Sequence, residues 1–184
     1  MGLWIARNLT ANYMKRLVIF GLAAIAAGPA MGQQPKSLGV FNGWTAIEAT
    51  EPGGKVCYMV GRPEASEPAN VRRGIILLTV THRPAGKARD EVSFQAGYPL
   101  KPATPVVLAV ERKAVELAPR PDANPEMAWA KDPAGDKTAV EALRAGKTVV
   151  VKGVSQRGTA TADTFALAGF ARAYAEIGKA CGVK

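Results

Sequence analysis

Apolar positions in the last third of the chain follow two rhythms, a period of two and then a period near 3.6. Lys147 to Val154 holds four valines, and β-branched side chains suit a pleated surface better than a helix. Val149, Val150 and Val151 in succession predict a strand covered on both faces, or at least a central one. Gln156-Arg157-Gly158 predicts a turn, since glycine adopts positive φ freely. Thr159, Thr161, Thr164 and Phe165 predict a returning strand, and so short a link implies antiparallel pairing. Beyond Gly169 the rhythm changes. Phe170, Tyr174, Ile177 and Cys181 fall at i, i+4, i+7 and i+11, one stripe of a helix. That stripe should lie on the sheet, with Arg172, Glu176 and Lys179 in water.

Upstream the pattern predicts short strands cut by turns. Phe41–Thr50 gives a first strand after Asn42-Gly43, and Lys55–Val60 a second across the turn Glu51-Pro52-Gly53-Gly54. Gly61–Arg73 has no period and reads as loop. Gly74–Thr81 (GIILLTVT) is the strongest buried-strand signal, stopped by His82-Arg83-Pro84 because proline lacks a ladder donor. Asp90–Ala96, Val106–Val110 and Ala114–Leu117 complete the middle of the chain. Arg120–Glu126 reads as a Pro-rich loop and Met127–Ala130 as a short apolar segment. Asp136 then caps a helix of about nine residues that stops at Gly146. About eight strands without alternating helices argue for a mainly β fold, an antiparallel β-sandwich or partly open barrel, with one short helix and a C-terminal helix. The expected core is Ile75, Leu77, Val80, Val92, Phe94, Val149, Val151, Phe165 and Phe170.

The N-terminus changes the picture by implying a compartment. Met14-Lys15-Arg16 precedes an uncharged run, Leu17–Ala27, and small residues, with Ala30 and Gly32 at the −3 and −1 positions of a cleavage site before Gln33. The apolar run is too short to span a bilayer as a helix. Residues 1–32 are therefore expected to be an upstream extension plus a cleavable signal peptide, residues 33–39 a disordered tether, and residues 40–184 a single β-rich domain. An uncleaved anchor is the alternative. Export implies a periplasmic or secreted protein that meets the membrane only transiently, through its signal.

Two cysteines in one exported domain are expected to pair. Cys57 and Cys181 stand 124 positions apart, so a bridge would tie an N-terminal strand to the last helix. The alternative is two buried free thiols. The formal net charge is +9, yet acids and bases are interspersed and no run of five cations occurs. A nucleic-acid groove is therefore not indicated.

His82 is the one histidine, so a Ser-His-Asp or Cys-His relay would have to run through it. It stands at a strand end beside Arg83, whose charge would disfavour the imidazolium, so a catalytic relay is not expected. One histidine and two distant cysteines do not make a metal site, and no cofactor is expected. Lys152–Thr159 lacks the Gly-Lys-Ser/Thr ending of a phosphate loop. Trp44, Trp129, Tyr58 and Tyr98 are candidates for core, rim or a binding face. His82, Arg83 and Arg157 remain as possible surface-contact residues. Asp132, Asp136, Asp90 and Glu91 would be the acids of a carboxylate-pair hydrolase.

The order of several short motifs resembles the invasion-associated locus B family of exported bacterial proteins. They are Trp44, Val56-Cys57-Tyr58-Met59, Thr79–Pro84, Glu91-Val92-Ser93 through Ala96–Pro99, Ala128-Trp129-Ala130, Val150–Gly153, Ser155, Arg157-Gly158-Thr159, Asp163-Thr164-Phe165, Gly169-Phe170 and Cys181. The resemblance covers nearly all of the chain after the leader. It implies a β-rich cell-envelope domain without established catalytic residues, associated in some bacteria with entry into host cells. The expected function is non-enzymatic binding of an unknown protein or envelope component. An envelope hydrolase is the alternative, and a structural envelope protein a third reading.

Overall fold

A computed structural model describes residues 34–183. Eleven strands and two α-helices run in the order β1 (Lys36–Phe41), β2 (Trp44–Glu51), β3 (Gly54–Gly61), β4 (Ala65–Glu67), β5 (Leu77–Arg83), β6 (Ala88–Gln95), β7 (Val106–Val110), β8 (Lys113–Arg120), β9 (Asn124–Ala130), α1 (Pro133–Ala145), β10 (Thr148–Val154), β11 (Ala160–Ala166) and α2 (Phe170–Cys181). All strands join one antiparallel sheet in the order β1-β2-β3-β5-β6-β9-β8-β7-β10-β11-β4. The sheet is not closed, since β1 and β4 are its two ends.

Period-two burial makes one face of this sheet the interior. Trp44 and Ala46, Cys57 and Met59, Leu78 and Val80, Val92 and Phe94, Val106 and Leu108, Val149 and Val151, and Asp163 and Phe165 all point inward and are buried. The sheet must also coil on itself. Phe94 of β6 and Phe165 of β11 stand five strand steps apart, roughly 24 Å in a flat sheet. Their rings are 6.5 Å apart, edge to face. Trp44 of β2 likewise donates from Nε1 to the Ala166 carbonyl at 2.8 Å. The outcome is a partly open barrel, with α2 packed over β1, β2, β3 and β5 and α1 over β6 and β8.

Local chemistry explains the turns. Asn42 and Gly43 both have positive φ, 44° and 86°, the pairing that a two-residue hairpin of the strands' own twist requires. That hairpin places β1 where a tether was expected. Residues 36–39 are strand, paired with β2 from Lys36↔Glu48 to Phe41↔Trp44. The expected leader, residues 1–32, lies outside the described residues.

Three further expectations need correction. Ile75 is 55% exposed and Leu77 half-buried, because β5 starts at Leu77 and its alternation turns Leu78, Val80 and His82 inward. A run of four apolar residues hides which parity is buried. The other seven expected core residues are fully buried. The cap of α1 is Asp132, whose Oδ1 accepts from the Gly135 N–H at 2.8 Å, with Pro133 opening a helix of 13 residues. Asp136 points elsewhere, accepting from the Val92 N–H at 2.8 Å. The loops expected at 61–73 and 120–126 contain β4 and the β8–β9 turn.

Helix α2 follows its stripe. Phe170, Ala173, Ile177 and Cys181 are buried, Tyr174 and Glu176 are half-buried, and Arg172 and Lys179 are exposed, so of the three residues expected in water Glu176 is partly covered. Phe170 meets Trp44 edge to face at 4.9 Å. The helix enters so tightly that a Cβ on Gly169 would lie 1.7 Å from the Phe41 carbonyl oxygen.

Candidate functional site

His82 is no surface residue. It is fully buried, opposite Cys57 in the β3–β5 register and edge-on to the Tyr174 ring at 5.5 Å. Its Nδ1 accepts from the Asp90 N–H at 3.1 Å. The neutral ring therefore carries its proton on Nε2, which meets no partner among the described residues. Burial lowers its pKa most, the Asp90 charge opposes this, and Arg89 adds to the lowering. The expectation that Arg83 would set its charge state is thus replaced by Arg89 and burial. Arg83 itself reaches away, to Glu51 at 3.2 Å and Glu91 at 2.8 Å.

Beneath His82, Cys57 and Cys181 are bonded to each other, with Cα atoms 5.9 Å apart. The bridge fastens α2 to β3. Tyr174 adds a second fastening, its hydroxyl donating to Asp90 Oδ1 at 2.6 Å.

The four acids of the hydrolase alternative do lie close to one another, and each already has a structural partner. Asp90 holds Tyr174, Glu91 holds Arg83, Asp132 caps α1 and Asp136 holds the backbone of β6. Burial pushes the Asp136 carboxyl up to about 6, against the Val92 hydrogen bond, and the charges of Glu91, Asp90 and Asp132 add to the rise. A carboxyl with a raised folded-state pKa binds its proton more tightly when folded. Its contribution is therefore most favourable at low pH and is lost as pH rises through about 6. The full shift would correspond to about 3 kcal/mol, which water on its open side reduces to about 1 kcal/mol. Asp136→Asn keeps an oxygen for Val92 without the charge. Denaturant unfolding should show it about 1 kcal/mol more stable than the parent at pH 7.5 and level with it at pH 4.

Polar groups converge at a different place. Segment 71–73, segment 97–99, Glu126 and the β10–β11 turn enclose a cleft of about 400 Å³. Its floor is an internal ion pair. Arg73 Nη1 and Nη2 donate to the two Asp163 oxygens at 2.7 and 2.8 Å. Its Nε and Nη2 also reach the Ala96 carbonyl, at 3.2 and 2.8 Å. The guanidinium lies 4.8 Å over the Tyr98 ring, and Tyr98 and Thr161 share a 2.6 Å hydroxyl contact. Asp163 is fully buried on β11, where alternation with Thr161 and Phe165 turns it inward. A buried carboxylate needs such a bidentate partner. Arg72, Val71, Gln156 and Arg157 form the rim and are exposed. A wider groove of about 820 Å³ on β10 and β11 is lined chiefly by apolar groups such as Pro68, Pro105, Val107 and Ala160.

Residues 44–178 match the family model for invasion associated locus B (IalB) protein. The chain belongs to the invasion associated locus B family. Among curated proteins none matches the chain in sequence. Among solved structures, the crystal structure of invasion associated protein B from Bartonella henselae is similar at 20% identity. The alignment covers 79% of this chain and 96% of that one, with a TM-score of 0.53, a likeness of fold.

The family match spans the whole cleft, from Val71 to Thr161, and the Cys57 half of the bridge, while β1 and Cys181 lie beyond it. Of the three expected contact residues, the structure brings Arg157 to the cleft and places His82 in the core and Arg83 at a separate rim. In this locus B chain Arg72 and Arg73 give no local signal, and Asp163 stands out only as part of a family motif, without a role. Asp163 carried the missed signal: an acid in phase with the buried face of a strand calls for a cation from elsewhere. Among the described residues no three His, Cys, Asp or Glu side chains group as a metal site. No described helix is long and apolar enough to cross a membrane.

Proposed function

We propose that this locus B protein is exported and works in the periplasm or outside the cell as a non-enzymatic binding domain, meeting its partner through the Arg72–Arg157 cleft. One observation carries the reading. Two exposed guanidinium groups, Arg72 and Arg157, without an ion-pair partner among the described residues, stand over a floor where Arg73 is already paired with Asp163. The backbone beneath this rim is anchored by hydrogen bonds, so contact orders side chains and not loops. The leader pattern of residues 14–32 and a long-range disulfide support export. A role in contact with host cells belongs to the same proposal.

The carboxylate-pair hydrolase is a second reading, favoured by the raised Asp136 beside Asp90 and Glu91. The structural commitments of those acids count against it.

Two measurements test the binding reading. Fractionation and N-terminal sequencing should find the protein outside the cytoplasm, starting at Gln33; a cytoplasmic chain retaining Leu17–Ala30 would reject export. A photo-crosslinking side chain at Gln156 should trap an envelope component that the same group at exposed, remote Arg112 does not. Equal capture from both positions would reject the cleft as the contact surface.

A further inference from the structure

We infer that the cleft binds an extended segment of another protein that presents carboxylates to Arg72 and Arg157 and an apolar side chain to Val71. The inference rests on the binding reading above and assigns its ligand class. The lining contains more than cations. Val71 in the lining is 45% exposed, and Ile75, four residues along the same loop but outside the lining, is 55% exposed. These are two of three large apolar side chains so exposed among the described residues. They flank Arg72 and Arg73. Exposed apolar groups beside a guanidinium that has no ion-pair partner among the described residues, here Arg72, are the mixture that protein contacts use.

The loop carrying them is held from below. The Gly74 N–H donates to the Gly97 carbonyl at 2.8 Å, a Cβ on Gly97 would lie 2.7 Å from the Gly74 carbonyl oxygen, and Arg73 is fixed by Asp163 and Ala96. On the far wall the turn is held too. The Gln156 N–H donates to the Pro99 carbonyl, and the Thr159 N–H to Ser155 Oγ. Arg72 and Arg157 therefore project from two anchored walls.

Charge separates the candidate ligands. Arg73 is neutralised by Asp163, so Arg72 and Arg157 supply the attraction. Glu126 lines the same cleft and repels a uniformly anionic polymer, whereas a peptide of mixed sequence can keep its acids at the arginine end. The one Tyr face in the cleft is covered by Arg73, which removes the stacking platform that a single-stranded nucleic acid uses. A concave cleft of this size also falls in the range of ligand sites, roughly 300–1,000 Å³, and does not protrude toward a bilayer.

The test titrates the folded, disulfide-intact chain with an acetylated, amidated nonapeptide of alternating Leu and polar residues, Glu in one half and Gln in the other, followed by calorimetry. Saturable binding is expected, weakened by added salt, and weaker by up to about 25-fold in Arg72→Gln/Arg157→Gln, since each exposed pair is worth up to about fivefold. The Leu–Gln analogue should not bind. Both replaced residues are exposed, so the variant should melt with the parent, and Arg112→Gln should bind as the parent does. No saturable binding, or equal binding by the double variant, overturns the inference. Equal or tighter binding of alginate oligomers or phosphatidylglycerol vesicles overturns the peptide assignment. If crosslinking from Gln156 persists in the double variant, the ligand class is wrong and the binding reading stands.

Discussion

Replacing Cys57 and Cys181 together by alanine is expected to lower stability by about 5 kcal/mol, the chain-entropy value for a loop of this length. The bridge closes 124 residues, so its loss frees nearly the whole domain in the unfolded state. Two features shape the result. Tyr174 to Asp90 and Phe170 against Trp44 still hold α2, so the variant should fold, with a lower denaturant midpoint and an unchanged native spectrum. Cys181 lies at the end of α2, so amide exchange in the last turn should rise more than in the sheet. A loss below 1 kcal/mol would mean that the unfolded chain is already compact around these residues.

Breaking the floor of the cleft should be nearly as costly. Asp163→Ala leaves the Arg73 guanidinium, 5% exposed, without its carboxylate, and removing one partner of a buried pair costs about 3–5 kcal/mol. The lower figure is expected, because the cleft admits water to Arg73. Arg73→Met/Asp163→Leu removes both charges and should regain more than half of the loss, since an apolar pair of similar volume is tolerated where a lone charge is not. Urea unfolding of the parent, both single variants and the double variant gives the coupling directly. If the double variant is less stable than Asp163→Ala, the hydrogen bonds to Ala96 outweigh the ion pair. Segment 71–73 hangs on this pair, so protease sensitivity between Val71 and Ile75 should follow the same order.

Much of the architecture was legible because it rests on parity. Val149, Val151 and Phe165 announce a hairpin, and Phe170, Ile177 and Cys181 announce the helix over it; each lies where its spacing says. Parity fails where every residue is apolar, hence Ile75, and where proline suggests a break. Pro119 and Pro125 sit within β8 and β9, next to the register shift at Pro119/Arg120. The end strands β1 and β4 were missed for a related reason. Neither has a neighbour on its outer side, so neither is covered on two edges, and Ala65–Glu67 is three residues long. The cleft was hidden more deeply. Its walls come from four separate segments, and the Arg73–Asp163 pair joins residues 90 apart in sequence, a distance across which no local pattern operates. His82 was misplaced because a polar side chain before Arg-Pro reads as a strand end, although alternation from Leu78 and Val80 turns it inward.

The strand order has a consequence for when this protein can fold at all. β4, near residue 65, is hydrogen-bonded to β11 near residue 163, and β7 reaches β11 through β10. Until the final stretch is free, β4 has no ladder to join and Trp44 has neither Phe170 nor the Ala166 carbonyl to close upon. A nascent chain whose C-terminal elements are still inside the ribosomal exit tunnel therefore stays open, and high contact order slows closure afterwards, to milliseconds or seconds. Such a chain remains threadable for as long as translation lasts, which is the state a translocation channel needs.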